Sequence, residues 1–230
     1  MRFFLLFLSF CFFAACASPE KETDNDTAAP SADSSLVKTT VETDKPVILF
    51  FGNSLTAGYG LELSQAFPAL IQNRLDSLSL EYTVINAGLS GETTASGKNR
   101  VDWLLKQKPA VFVLELGAND GLRGIDPAET RRNLQEIIDK VRVSDPATKI
   151  ILCGMMVPPN MGPDYGKQFQ VIYPELAEKN NLTLIPFLLN GVAGEPELNL
   201  GDGIHPTVEG HKIVMENVWE VLCKVIETGC

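Results

Sequence analysis

Histidine is scarce in this chain of 230 residues, with two copies, and tryptophan is no commoner. Few imidazoles mean few candidates for any histidine-dependent chemistry. His205 and His211 lie six apart with no cysteine ligands nearby, which matches no common zinc spacing. Positive charge is also short: 19 Lys and Arg against 29 Asp and Glu leave a formal net charge of -10. A chain so acidic, without a basic stripe, is a poor partner for nucleic acid. Heptads, internal repeats and long low-complexity tracts are missing from the globular part. What remains is an ordinary composition, 45% hydrophobic, enough for one domain with a full core.

The one long apolar run, Phe3 to Phe13, is shorter than the ~20 residues of a membrane-spanning helix. It follows Met1-Arg2 and ends in Phe13-Ala14-Ala15-Cys16. A positive start, an apolar stretch and small residues read as a secretory signal over residues 1–15. The run resembles a bacterial lipoprotein signal, which implies lipidation of Cys16 and a place in the bacterial cell envelope. Ala17 after that cysteine leans toward the outer membrane. An ordinary signal peptide would instead leave a periplasmic or secreted protein. Residues 16–45 are rich in Ser, Thr, Ala, Asp and Glu and cannot offset their ordering entropy by burial. They read as a flexible tether, with the globular domain at 46–230.

Continuous apolar runs mark buried parallel strands at Val47–Phe51, Thr83–Ile85, Val111–Leu114, Ile150–Leu152 and Leu182–Ile185. Helical periodicity falls between them, at Pro68–Leu78, Pro127–Val143, Gln168–Asn180 and Thr207–Ile226. Asp126-Pro127-Ala128-Glu129 supplies a helix start. This alternation predicts a three-layer α/β fold with a parallel sheet, and ligands bind such sheets beyond the carboxyl ends of the strands. Cys153 lies in an apolar run and reads as core. Cys223 and Cys230 would stand ~10 Å apart on a continuous helix, too far for a disulfide, and are read as free thiols.

Two familiar signatures fail. Gly91 to Lys98 approaches a phosphate loop but has one residue too many between its glycines, and Asn99 stands where Ser or Thr would hold magnesium. No Gly-x-Ser-x-Gly elbow occurs at Ser54 or Ser90. Four other blocks do appear, in order: Phe51-Gly52-Asn53-Ser54-Leu55, Asn86-Ala87-Gly88-Leu89-Ser90-Gly91, Glu115-Leu116-Gly117-Ala118-Asn119-Asp120 and Asp202-Gly203-Ile204-His205-Pro206. With them the chain resembles the SGNH (GDSL) hydrolases over about Pro46 to Ile226, and most closely their thioesterase I, protease I and lysophospholipase L1 branch.

The resemblance implies a flavodoxin-like SGNH fold with five parallel strands. It also implies a serine esterase working through an acyl-enzyme on carboxylic esters or thioesters, of arylesterase, lysophospholipase or acyl thioesterase type, with no metal or organic cofactor. Ser54 would be the nucleophile, His205 the base and Asp202 its orienting partner. Isolated, Ser54 would read as a helix N-cap. His211, the other imidazole, reads as a solvated helix residue beside Lys212. The oxyanion hole implied by resemblance uses the Ser54 and Gly91 backbone N–H groups and the Asn119 side chain. Asn53 stands where the family usually has Asp. The Gly-rich stretch Asp120 to Pro127 suggests a mobile lip over an acyl groove. Two alternatives stay open: a carbohydrate O-deacetylase, or a non-catalytic acyl or lipid binding protein. The expected partners are a small ester or acyl-lipid substrate and, through Cys16, a membrane.

Overall fold

A computed structural model describes residues 45–226. The chain divides into Met1–Glu42 and Thr43–Cys230, and every described residue falls in the second unit. The signal, Cys16 and nearly all of the tether therefore lie outside the described residues.

Five parallel strands form one sheet in the order β2-β1-β3-β4-β5. They are β1 (Val47–Gly52), β2 (Thr83–Gly88), β3 (Val111–Glu115), β4 (Lys149–Cys153) and β5 (Thr183–Ile185). This is the flavodoxin-like order, whose switch point falls beside β1. β1 runs without polar alternation because both its faces are covered: Ile48 to Phe51 are fully buried. Alternation then assigns neighbours to each face. Phe50 meets Phe67 edge-on at 5.4 Å, while Phe51 packs on Phe112 and under the guanidinium of Arg100.

Eight helices occur in the described residues: α1 (Ser54–Ala57), α2 (Phe67–Ser77), α3 (Thr94–Leu104), α4 (Ala118–Leu122), α5 (Pro127–Ser144), α6 (Pro163–Gln170), α7 (Ile172–Asn180) and α8 (Val208–Val225). Helices α2 and α8 pack on each other, and α5 packs on α3, α6 and α7, which makes the two outer layers. Gly97 lets α3 come close to the sheet, since a Cβ there would lie 2.4 Å from Leu116 Cδ1. The Asp126 side chain caps α5 by accepting from Ala128 N at 2.8 Å, and Pro127 occupies its first turn.

Three expectations need correction. Helix α3 is not among the helices that periodicity predicts, and the single helix expected over Gln168–Asn180 is two helices that meet at Val171. Cys223 is not a free thiol but is disulfide-bonded, with its partner outside the described residues. Helix α8 stops at Val225, so the seven-residue helical span that argued against bonding does not exist. Cys153 is free and fully buried, as its apolar setting suggested.

Candidate active site

Strand β1 ends at Gly52, and the chain turns at once into the four-residue α1. Ser54 opens α1, but it does not cap it. Asn53 holds that place, its Oδ1 accepting from Leu55 N at 2.9 Å. The turn is fastened from below by Glu115 at the end of β3. Its Oε1 accepts from Asn53 Nδ2 at 2.7 Å, and its Oε2 accepts from Asn53 N, Thr56 N and Thr56 Oγ1 at 3.1, 3.3 and 2.8 Å. Burial pushes the Glu115 carboxyl up to about 7, and the four donors pull the other way. Gly52 makes this approach possible: a Cβ there would sit 2.5 Å from Glu115 Oε2.

The imidazole of His205 reaches the Ser54 hydroxyl. Ser54 Oγ lies 2.9 Å from His205 Nε2, and His205 Nδ1 lies 2.7 Å from Asp202 Oδ2. With the Nδ1 proton donated to the carboxylate, Nε2 is the acceptor facing Ser54. Asp202 Oδ1 also accepts from Ile204 N and His205 N at 3.0 and 3.1 Å. Those backbone donors, first of all Ile204, and then His205 hold the Asp202 carboxyl down at about 2. The loop that carries both residues follows β5 and is closed by Leu200 N to His205 O at 2.7 Å and Thr207 N to Leu198 O at 2.8 Å. Gly203 takes a left-handed φ of 73° in the turn between them. Tyr59 lies against the His205 ring, centroids 4.5 Å apart.

Beyond β2, Gly91 adopts φ 81°. The backbone N–H groups of Ser54 and Gly91 donate to no other described residue. Asn119 Nδ2 donates to Glu92 O at 3.1 Å, which ties α4 to the Gly91 loop and leaves one amide hydrogen over. Asp120 beside it is buried, accepting from Thr94 N at 2.9 Å and from the Thr94 hydroxyl. Burial raises its carboxyl. Both oxygens of Glu92 are held by Arg100, at 2.7 and 2.5 Å.

Ser54, His205 and Asp202 are thus joined in one hydrogen-bonded line, and Gly91 and Asn119 are linked through the Glu92 carbonyl. His211 is elsewhere and is not solvated. It is 1% exposed, and its Nδ1 accepts from Phe67 N at 3.1 Å. The Asp120–Pro127 stretch is also less loose than its glycines suggest, being part helix and pinned where Tyr165 Oη donates to Ile125 O at 2.7 Å. Sequence reasoning gives no role to Glu115, Tyr59 or Arg123. A lone carboxylate closing an apolar strand is the available signal for Glu115. A recess of about 620 Å³ lined by Arg142, Asn181, Thr183 and Lys224 contains none of the Ser54–His205–Asp202 group.

The GDSL-like Lipase/Acylhydrolase family model matches residues 50–213. Esterase TesA of Pseudomonas aeruginosa is 40% identical over 188 residues, which is 81% of this chain and 92% of that protein. Thioesterase 1/protease 1/lysophospholipase L1 of Escherichia coli K12 is 36% identical, covering 74% of this chain and 79% of its own. Among solved structures, TesA superposes with a TM-score of 0.75 at 40% identity, over 78% of this chain and 99% of that one. The psychrotrophic esterase EstA from Pseudoalteromonas, inhibited by monoethylphosphonate, also gives 0.75, at 31% identity over 80% and 100%. Sheet order and these matches agree: the chain belongs to the GDSL-like lipase/acylhydrolase family of SGNH ester hydrolases.

Proposed function

We propose that this protein hydrolyses carboxylic esters or thioesters with Ser54 as nucleophile, His205 as general base and Asp202 as the group that orients the imidazole. The observation carrying the proposal is the Ser54–His205–Asp202 line, with contacts of 2.9 and 2.7 Å. His205 Nε2 takes the Ser54 proton as Oγ attacks the carbonyl carbon. The imidazolium, paired with Asp202, then returns that proton to the leaving oxygen or sulfur. A water, deprotonated in the same way, releases the acyl group. The developing oxyanion would be met by Ser54 N–H, Gly91 N–H and the free amide hydrogen of Asn119.

The half-exposed Leu89, Leu122 and Ile204 flank Gly91, Asn119 and His205 in the chain. They favour an acyl substituent longer than acetate. The relatives' names, esterase, arylesterase and thioesterase/lysophospholipase, span that chemistry. For the N-terminus the proposal is a signal at 1–15, lipidation of Cys16, and a tether to residue 45 that holds the enzyme at a bacterial envelope membrane.

A fluorophosphonate probe tests the mechanism. Wild-type protein should be labelled on Ser54, and Ser54→Ala and His205→Ala should each lose several orders of magnitude in turnover, the double variant little more. Near-normal esterase turnover by Ser54→Ala would overturn the assignment.

A further inference from the structure

Arg123 closes α4, four residues after Asn119. Its Nη2 donates to the Gly91 carbonyl at 3.1 Å, and a Cβ built on Gly91 would lie 3.8 Å from the same nitrogen. The guanidinium therefore lies across the Gly91 turn, at the rim of the proposed oxyanion hole. It is exposed, and Gly91 O is its one hydrogen-bond partner among the described residues. The acids adjoining Arg123 and Gly91 in the chain are engaged elsewhere. Glu92 gives both oxygens to Arg100. Asp120 is buried among Thr94 and Thr130 hydroxyls. Asp126 caps α5. In a molecule of net charge -10, this cation has no carboxylate partner among the described residues.

We propose that Arg123 is an anion subsite, selecting esters that carry a negatively charged group, a phosphate or a carboxylate, within reach of the scissile carbonyl. The inference rests on the Ser54 mechanism above. One N–H is used to hold Gly91 O, and the remaining donors of the planar fork suit a two-oxygen anion. Because the guanidinium is exposed, the selection should weaken as salt screens it.

The test uses two pairs of matched substrates. On the acyl side, p-nitrophenyl hydrogen adipate is compared with p-nitrophenyl hexanoate. On the leaving-group side, hexanoyl-glycerol phosphate is compared with monohexanoylglycerol. Arg123→Ala should lower the anionic-to-neutral ratio of kcat/KM by about tenfold or more in one pair, and that pair shows which side carries the charge. Arg123→Lys should recover part of the ratio, having the charge without the fork. Arg132→Ala, on α5, is the control and should leave both ratios unchanged. Equal losses on anionic and neutral esters would overturn the subsite, since the guanidinium would then serve only to brace Gly91. An unchanged ratio in both pairs would overturn it too. Failure of the underlying mechanism reads differently: wild-type protein would not be labelled on Ser54 by a fluorophosphonate.

Discussion

Glu115 and Asn53 form a matched donor–acceptor pair under the Ser54 turn, and the match can be tested by exchanging it. In Glu115→Gln, an NH2 group replaces the Oε1 that accepts from Asn53 Nδ2 at 2.7 Å. Two donors would then face each other in a fully buried setting. Flipping the Asn53 amide would not help, because its Oδ1 is needed by Leu55 N. The variant should lose about 2 kcal/mol or more of stability and turn over more slowly. Adding Asn53→Asp restores the match: one oxygen of the new carboxylate accepts from the introduced NH2 group while the other keeps Leu55 N. The double variant should therefore be more stable and more active than Glu115→Gln alone. A double-mutant cycle in urea denaturation and in kcat checks both, and losses that simply add would show that the pair does not act as a unit.

At the scale of elements, the strands are the most legible part of the chain. Both faces of β1, β3 and β4 are covered along Ile48–Phe51, Val111–Leu114 and Ile150–Cys153, so these stretches are apolar without interruption and need no partner to be recognised. Helix α3 is hidden for the opposite reason. Thr-Ala-Ser-Gly-Lys-Asn-Arg-Val-Asp-Trp-Leu buries little beyond Thr94, Gly97, Val101 and Leu104, and two of those four are not apolar. His211 misleads for a related reason. Lys212 next to it suggests solvent, but on a helix the face is set by residues three and four away. Val214 and Val218 place His211 on the buried stripe of α8, stacked on Phe67 of α2. Desolvation, with a smaller effect from His205, lowers its pKa from 6.5 to about 4. The unfolded chain therefore binds a proton between these values that the folded chain does not, so this contribution to stability is whole above pH 6.5 and fades as pH falls toward 4. Glu115 acts in the opposite sense. Its raised pKa stabilises the fold below about 4.5, and that contribution fades as pH rises toward 7. His211→Asn keeps an acceptor for Phe67 N but cannot titrate. The stability difference between this variant and wild type should move by up to about 3 kcal/mol in the variant's favour between pH 6.5 and 4. Urea midpoints measured across that window check it; a difference independent of pH would mean that His211 titrates normally.

For the whole molecule, the site is legible because its residues occur in short blocks at the ends of strands, where a parallel sheet gathers them. Its supports are less legible because their partners are distant: Glu115 is 62 residues from Asn53, and Arg123 is 32 from Gly91. All of these groups lie between Gly52 and His205, inside the unit that begins at Thr43. The contacts that join Ser54, His205 and Asp202 run between residues of that unit. Chemistry and anchoring should therefore separate cleanly. Protein starting at residue 43 should match the mature full-length enzyme in kcat/KM on a soluble p-nitrophenyl ester, within about twofold, because no described part of the site is removed. In a bacterium that processes lipoproteins, the full chain should partition with membranes. Cys16→Ser should block lipidation, because serine offers no thiol for the lipid thioether. Mass spectrometry of the mature N-terminus decides the second point: a lipidated Cys16 supports the anchor, and an unmodified terminus beginning elsewhere refutes it. The esterase comparison decides the first, because a truncated enzyme with greatly reduced turnover would mean that residues before Thr43 take part in folding or in the site.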